Sequence, residues 1–430
     1  MHSRSKIGHL GWFLCALGAI YYCYEYLLRV TPSVMELQLR DHFQLSAAGF
    51  GFLSAFYYYA YVPLQIPVGI LLDRYGPRVL LTIACLICVL GTFLFAATEV
   101  FWISALGRFL VGFGSAFAFV GVLKLATIWL PENKLALVSG MASALGTVGA
   151  MIGDNIMSYF VDSIGWRSTV NWSASIGIVL AFFLWYFIHD HKNDEEDGGT
   201  IATFRNSIDD LLFITRNKQT WINGLFGCLV YLPTTVFAEL WGIPYLEHAH
   251  RLSQTSAGFA NSLIFFGFMI GAPLMGALSD TLKRRKLPMF VGASGAAMIM
   301  FAVIYIPDLS EIHLDILLFS LGLLYSSQCI VFAVARELSP PEAAATAMAT
   351  ANMIVMLGAM LLQPFVGRLL DISAQSHQEA TVLQKVTGAI AQPIYTAVDY
   401  QFALSIIPIG ILMAVFLTFF LKETYAEVSN

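Results

Sequence analysis

Glu25 and Arg29 lie four residues apart inside the apolar run from Leu10 to Val30. Four residues is one helical turn, so the carboxylate and the guanidinium share a face and can pair. Ionisable groups inside hydrocarbon are costly and face a cavity or a partner. Arg108, Lys124, Asp154 and Glu239 occupy comparable runs. Two kinds of chemistry follow. Arg29 is a fixed cation whose planar fork can grip a carboxylate in bidentate fashion. Glu25, Asp154 and Glu239 are carboxyl groups that can load and release a proton near neutrality in a low-dielectric site. Plainer roles stay open. Arg29 could serve only to neutralise Glu25, each carboxylate could be a structural pair, and Lys124 could snorkel to an interface.

Neutral polar residues accompany these charges. Tyr57 and Tyr61 share one helical face, while Tyr58 and Gln65, seven apart, share another. Tyr22 and Asn155 complete the first-half set, and Tyr231, Asn261, Tyr325, Gln328 and Asn352 form the second. Amides and phenols in hydrocarbon need partners, so these are candidate substrate-binding residues lining a polar cavity. Catalytic signatures are missing. No Gly-Lys-Ser/Thr phosphate loop, Ser-His-Asp set or HExxH spacing occurs. Cys85 and Cys88 have metal-like spacing but no second pair or histidine nearby, so neither metal nor cofactor is expected. The net charge of -5 and the lack of a basic stripe argue against a nucleic-acid partner. The chain does not read as an enzyme.

The elements that must position these residues follow from composition. The chain has 430 residues, 58% hydrophobic and only 12% charged. Soluble proteins carry about 25% charged residues. The apolar runs are about 20 residues long, the length that crosses a bilayer as a helix. Twelve transmembrane spans are predicted, near 10–33, 47–72, 78–98, 101–129, 135–161, 167–188, 220–246, 255–279, 287–306, 313–335, 343–370 and 400–421. The first run is too long for a signal peptide and lacks a small-x-small cleavage site, so it is read as span one. A first bundle over 1–188 and a second over 220–430 flank a linker, 189–219, with the acidic run Asp194–Asp197. Residues 204–216 alternate apolar and charged at helical spacing and suit a surface-lying helix. A second long connection covers 372–398. Of the 23 Lys and Arg, fifteen fall on the side of the termini and four on the other. That bias places both termini in the cytoplasm.

The two halves repeat. Gly69 to Arg78 reads GILLDRYGPR and Gly276 to Arg285 reads GALSDTLKRR, so that Gly69, Asp73 and Arg78 match Gly276, Asp280 and Arg285. Ser46 and Ser253 match at the same offset. A duplicated six-helix unit follows. The loop pattern between spans two and three, with Gly69, Asp73, Arg74, Gly76 and Arg78, resembles the signature loop of the major facilitator superfamily. Arg108 with Gly112 resembles its second motif. Span five carries Gly140, Gly146, Gly149 and Gly153, a small-residue face similar to the antiporter motif but without its Gly-Pro pair, which disfavours a drug antiporter.

The resemblance implies an all-α membrane fold of two six-helix bundles related by a pseudo-two-fold axis. It also implies alternating access and a monomer in the inner membrane, whose partners are a small solute, a coupling proton and lipid. Asp73 would latch one face of the carrier, with Asp280, Arg284 and Arg285 as the second-half copy. A narrower resemblance rests on YYCYEYLLRVTPSVM (Tyr21–Met35), YYYAYVPLQIPVG (Tyr57–Gly69) and ELWGIPYL (Glu239–Leu246). These are similar to the phagosomal nutrient transporters of intracellular bacteria, which implies amino-acid or nucleoside uptake. The expected function is therefore proton-coupled import of an amino acid or similar zwitterion. The alternatives are a symporter of organic or sugar acids, which Arg29 with Arg108 would suit, and an exporter of siderophores or drugs. Sodium coupling stays open.

Overall fold

The computed structural model describes residues 2–131, 134–189, 211–340, 343–378 and 395–424. Among the described residues all regular structure is helical, and eleven helices are long and apolar enough to cross a membrane. They are His9–Phe43 (span one), Pro77–Ala97 (three), Phe101–Trp129 (four), Leu137–Ile164 (five), Trp166–Phe187 (six), Lys218–His250 (seven), Gln254–Leu282 (eight), Lys286–Tyr305 (nine), Glu311–Glu337 (ten), Ala344–Ser376 (eleven) and Ala397–Leu417 (twelve). Span two is built from Ala47–Leu64 and Pro67–Tyr75, interrupted between them. The prolines at 63 and 67 explain the interruption, because neither has an N–H for the helical ladder. Twelve spans in two sets of six result.

Several boundaries differ from the predicted ones, three of them with a clear local reason or extent. Span one passes residue 33 and continues to Phe43 through a tight 3-10 turn, Thr31–Met35, that carries Pro32 near its start. Span eleven runs past 370 to Ser376. Span twelve starts at Ala397, where Thr396 and Asp399 form a reciprocal capping box. The surface helix predicted over 204–216, the linker and the 372–398 connection lie largely outside the described residues.

The internal repeat is visible in the caps. Ser46 starts span two by accepting from the Gly49 N–H, and Ser253 starts span eight by accepting from the Ser256 N–H. Each supplies an acceptor to an otherwise unpaired first-turn donor. Within the first half, span three packs on spans four and six, and span one on four and five. Within the second, span ten packs on eight and nine, and span twelve on seven and nine. The halves meet where span two packs on span eleven and span five on span eight. Trp102, Trp172, Met298, Ile312 and Phe419 each expose 66–70% of their surface. A water-soluble surface does not carry such a belt; lipid solvates it.

Glycines show where the halves touch. A Cβ on Gly51 would fall 2.5 Å from the Gln363 carbonyl, and one on Gly258 would fall 2.4 Å from the Asp154 carbonyl. Both lie toward the face opposite the termini. At the other end of the same spans, nothing lies within 4 Å of the corresponding position on Gly69, Gly140 or Gly276. The halves are pinched together at one face and have open space at these three positions near the other.

Candidate functional site

Arg29 is buried, 2% exposed, between two enclosed carboxylates. Its Nη2 donates to Glu25 Oε1 at 3.0 Å, and its Nη1 lies 3.7 Å from Glu239 Oε1 of span seven. The Arg29 Nε donates to the Tyr57 hydroxyl at 2.9 Å, and that hydroxyl donates to Glu25 Oε2 at 2.9 Å. The guanidinium carbon lies 4.3, 5.0 and 5.2 Å from the ring centres of Tyr26, Tyr61 and Tyr57. On the Glu239 side, Tyr58 donates to Oε2, and Tyr26 donates to Oε1 at 3.3 Å. The Tyr26 hydroxyl also meets that of Tyr231 at 3.4 Å. One cation thus faces two carboxylates inside a cage of tyrosines contributed by spans one, two and seven. Buried ions are tolerated only when paired and hydrogen-bonded in this way.

Local sequence explains the placement. Tyr26 lies three residues before Arg29 and four after Tyr22, on the same face as both. It was absent from the predicted set, although that spacing points to it. Tyr22 itself packs edge-on against Tyr26 and beside Phe119, at the margin of the cage. Tyr57 and Tyr58 both reach the cluster because Glu25 and Glu239 flank span two from different sides, so two faces of that helix are used. Gly112 of span four permits this, since a Cβ there would lie 1.9 Å from the Tyr57 carbonyl. Glu239 lies in a π-helical stretch, Pro233–Trp241, opened by a proline that cannot donate to the preceding turn. Trp241 Nε1 donates to the Gln363 carbonyl, and Gln363 Nε2 donates back to the Thr235 carbonyl, holding that stretch against span eleven. Tyr325 accepts from Thr234 at 2.6 Å and stacks on Phe268 below Tyr231.

Arg108 holds the backbone of span one. Its Nη1 and Nη2 donate to the Leu28 and Arg29 carbonyls at 2.9 and 3.2 Å. Pro32, four residues after Leu28, has no N–H to offer that carbonyl, and the guanidinium takes its place. Arg108→Ala is therefore expected to destabilise the fold by roughly 3 kcal/mol, two hydrogen bonds to a charged group at about 1.5 kcal/mol each. In a Pro32→Ala background, which returns an N–H to Leu28, the cost should fall. Equal costs in both backgrounds, read by thermal unfolding, would show that the proline is not the reason for the arginine.

Other predicted residues separate from the cluster. Asp154 of span five pairs with Asn261 of span eight at 2.7 Å, not with Arg29. Asn155 is spent on its own helix, donating to the Met151 carbonyl. Asn352 donates to Gln65 Oε1 at 2.9 Å and joins span eleven to the interruption of span two. Gln328 is buried in the turn Ser326–Cys329 and makes none of the cluster's bonds. Lys124 is half-buried toward the end of span four nearer the termini.

The Asp73 side chain lies outside the described atoms. Gly76 turns with φ +76°, which a side chain would resist. Arg74 lies over the ring of Tyr75. Arg78 packs on the Trp185 ring and donates to its carbonyl, tying span three to span six. In the second half Asp280 does pair with Arg285, at 2.6 Å, and among the described residues no ion pair joins Arg284. Glu337 of span ten is a second acceptor for Arg285, receiving its Nη2 at 2.6 Å. Burial acts to lower the Arg285 guanidinium, and hydrogen bonds with Glu337 and Asp280 act to raise it; the balance lies above its ordinary value, so it stays charged. Glu423 accepts from the Arg285 and Lys286 N–H groups at the start of span nine. This network stays within the second half.

A family model described as Major Facilitator Superfamily matches residues 14–371. An uncharacterized transporter of Bacillus subtilis, YybO, is 23% identical over 85% of this chain and 89% of its own length. The probable galactarate/D-glucarate transporter GudP of the same organism is 25% identical over 65% of this chain and 69% of its own. The probable L-galactonate transporter of Escherichia coli is 26% identical over 62% and 63%. A bacterial homologue of the human lysosomal transporter Spinster, in an inward-facing and occupied conformation, superposes with a TM-score of 0.76, at 18% identity, over 95% of this chain and 96% of that one. The solute names among these relatives are those of sugar acids. They favour the second expected solute class, and the amino-acid expectation finds no support in them.

Proposed function

Because the chain belongs to the major facilitator superfamily, a family of multi-pass membrane transporters, we propose that it carries a small hydroxylated organic acid of the sugar-acid class together with a proton. The observation that carries this reading is the sharing of one buried arginine between Glu25 and Glu239. With both carboxylates ionised, the cluster holds an excess negative charge out of water. An incoming substrate carboxylate competes with them for the Arg29 fork. A proton on Glu25 or Glu239 frees guanidinium donors for the substrate, so proton and acid favour each other's binding. The tyrosine hydroxyls and the remaining carboxylate then offer partners to sugar hydroxyls. Access alternates by rocking of 1–188 against 220–430. The excess of Lys and Arg on the side of the termini supports a bacterial inner-membrane protein with both termini cytoplasmic.

The competing solute class is the zwitterion. A zwitterion would place its carboxylate on Arg29 and its ammonium on Glu25 or Glu239. Thermal unfolding of the purified chain with galactarate, D-glucarate, L-galactonate, neutral sugars and amino acids separates the two. A ligand at 100 times its Kd adds about 2.7 kcal/mol to apparent stability. Stabilisation by the acids alone, growing as pH falls, is expected. Stabilisation by amino acids alone would retire the sugar-acid reading in favour of the zwitterion.

A further inference from the structure

Asp154 is fully buried in a π-helical turn, Gly153–Met157, of span five. Its Oδ2 accepts from Asn261 Nδ2 at 2.7 Å, and the same amide also donates to the Ala238 carbonyl at 2.9 Å. The Asp154 Oδ1 has no hydrogen-bond partner, and neither has the Asn261 Oδ1. No described Lys, Arg or His comes within ion-pair distance of Asp154. The ionisable groups on the elements packed around it are committed elsewhere or remote. Span one supplies Glu25, held by Arg29 and Tyr57, and Glu36, held by Arg40, whose guanidinium also packs on the Tyr395 ring. Span seven supplies Glu239, held by Tyr58, Tyr26 and Arg29, and Glu247 farther toward the face opposite the termini. Span eight has none before Asp280 at its other end, and Asp162 of span five is exposed.

An ionised Asp154 would keep one hydrogen bond and leave one oxygen bare and dry. Such a group is costly inside a membrane protein. A carboxylic acid beside a primary amide closes a two-bond ring instead: the amide N–H donates to one carboxyl oxygen, and the carboxyl O–H donates to the amide oxygen. The structure shows the first of these bonds and leaves the two atoms of the second unpaired. We infer that Asp154 is a proton-binding site, and that the bound proton completes an acid–amide clamp between span five and span eight. Here Gly258 brings span eight onto the Asp154 backbone, so the clamp holds the pinched face closed. Loss of the proton turns the Asp154 Oδ1 from a donor into an anion facing the Asn261 oxygen, and the contact parts. The clamp shares no hydrogen bond with the Arg29 cluster, although Asn261 also holds the Ala238 carbonyl next to Glu239, and it does not depend on which solute is carried.

Infrared difference spectra of the purified full chain test it. At neutral pH the wild type should show a deuterium-sensitive C=O stretching band of a protonated carboxyl group that is lost in Asp154→Asn. In Asn261→Leu, which keeps Asp154 but removes its partner, the same band should move to higher frequency. Spin labels on cysteines introduced at Ser163 and Thr255 should move apart in wild type as pH is raised and stay in place in Asp154→Asn, which keeps an uncharged partner for Asn261. Coincident spectra of wild type and Asp154→Asn overturn the assignment. So does a label separation with the same pH dependence in both. If Asp154→Asn does not fold, an unmoved band in Asn261→Leu overturns it.

Discussion

Arg29→Ala is expected to abolish stabilisation by galactarate, D-glucarate and L-galactonate, and to lower the protein's own unfolding temperature. The substitution removes the cation from two enclosed carboxylates that have no other charge partner in the cluster. Breaking a buried pair by deleting one member costs about 3–5 kcal/mol. The two effects separate in a double variant. Arg29→Ala with Glu239→Gln removes one stranded charge, so stability should recover in part while acid binding stays lost. Arg29→Lys keeps a charge but loses the planar fork that serves Glu25, Tyr57 and an incoming carboxylate together. Binding should then weaken by tenfold or more, about 1.4 kcal/mol. If Arg29→Ala were still stabilised by the sugar acids, Arg29 would not be their ligand. If it unfolded at the wild-type temperature, the pair would contribute nothing to the fold.

A second large effect is expected at the pinched face. Asp371 of span eleven accepts from the Ala47 and Ala48 N–H groups, both at 3.1 Å, and these are the first donors of span two. An anion suits a helix N-terminus, where unpaired donors and the helix dipole coincide. Tyr395 donates to the same carboxylate, and the Arg40 guanidinium packs on the Tyr395 ring. Burial, and then the hydrogen bond to Asp371, hold the Tyr395 phenol above its ordinary range, so it remains a donor. The Tyr395 hydroxyl also accepts from the Ala47 N–H at 2.9 Å, so the Asp371 carboxylate and this phenol together bolt the second half onto the first. Asp371→Ala removes the two charge-assisted bonds that cross between the halves, at about 1.5 kcal/mol or more each. The closed arrangement should lose roughly 3 kcal/mol, on the order of a hundredfold in population. Amide hydrogen exchange at Ala47 and Ala48 reads this directly and should accelerate by a similar factor. Asp371→Asn, which keeps one acceptor, should fall between. Exchange unchanged in both variants would mean that this contact does not hold the face shut.

Much of the architecture was legible because it rests on periodicity and length. Twelve apolar runs, each about a bilayer long, admit few folds. The matched Ser46 and Ser253 do become matched caps. Glu25 with Arg29 was readable because four residues on one helix make a contact whatever surrounds it. Boundaries failed where the chain stayed helical past the hydrocarbon length, as in span one to Phe43 and span eleven to Ser376, because composition marks the bilayer rather than the end of a helix.

The charges inside the apolar runs split into four tasks. Arg29 and Arg108 both sit in apolar runs, yet one faces two carboxylates and the other replaces the missing N–H of Pro32. The clue to the second was the four-residue step from Leu28 to Pro32, but nothing local says that Arg108 is the group that fills the gap. Glu239 joins Arg29 across more than two hundred residues, whereas Asp154 goes to Asn261 and Asp371 to the start of span two. Spacing along a helix is set by the covalent chain, so the sequence alone determined the spans, their repeat and the pairs within one turn. Which helix faces which is set by packing, through close approaches such as Gly112 on Tyr57 and Gly258 on Asp154. Only the tertiary structure could decide which buried carboxylate receives a cation and which is left with a single amide.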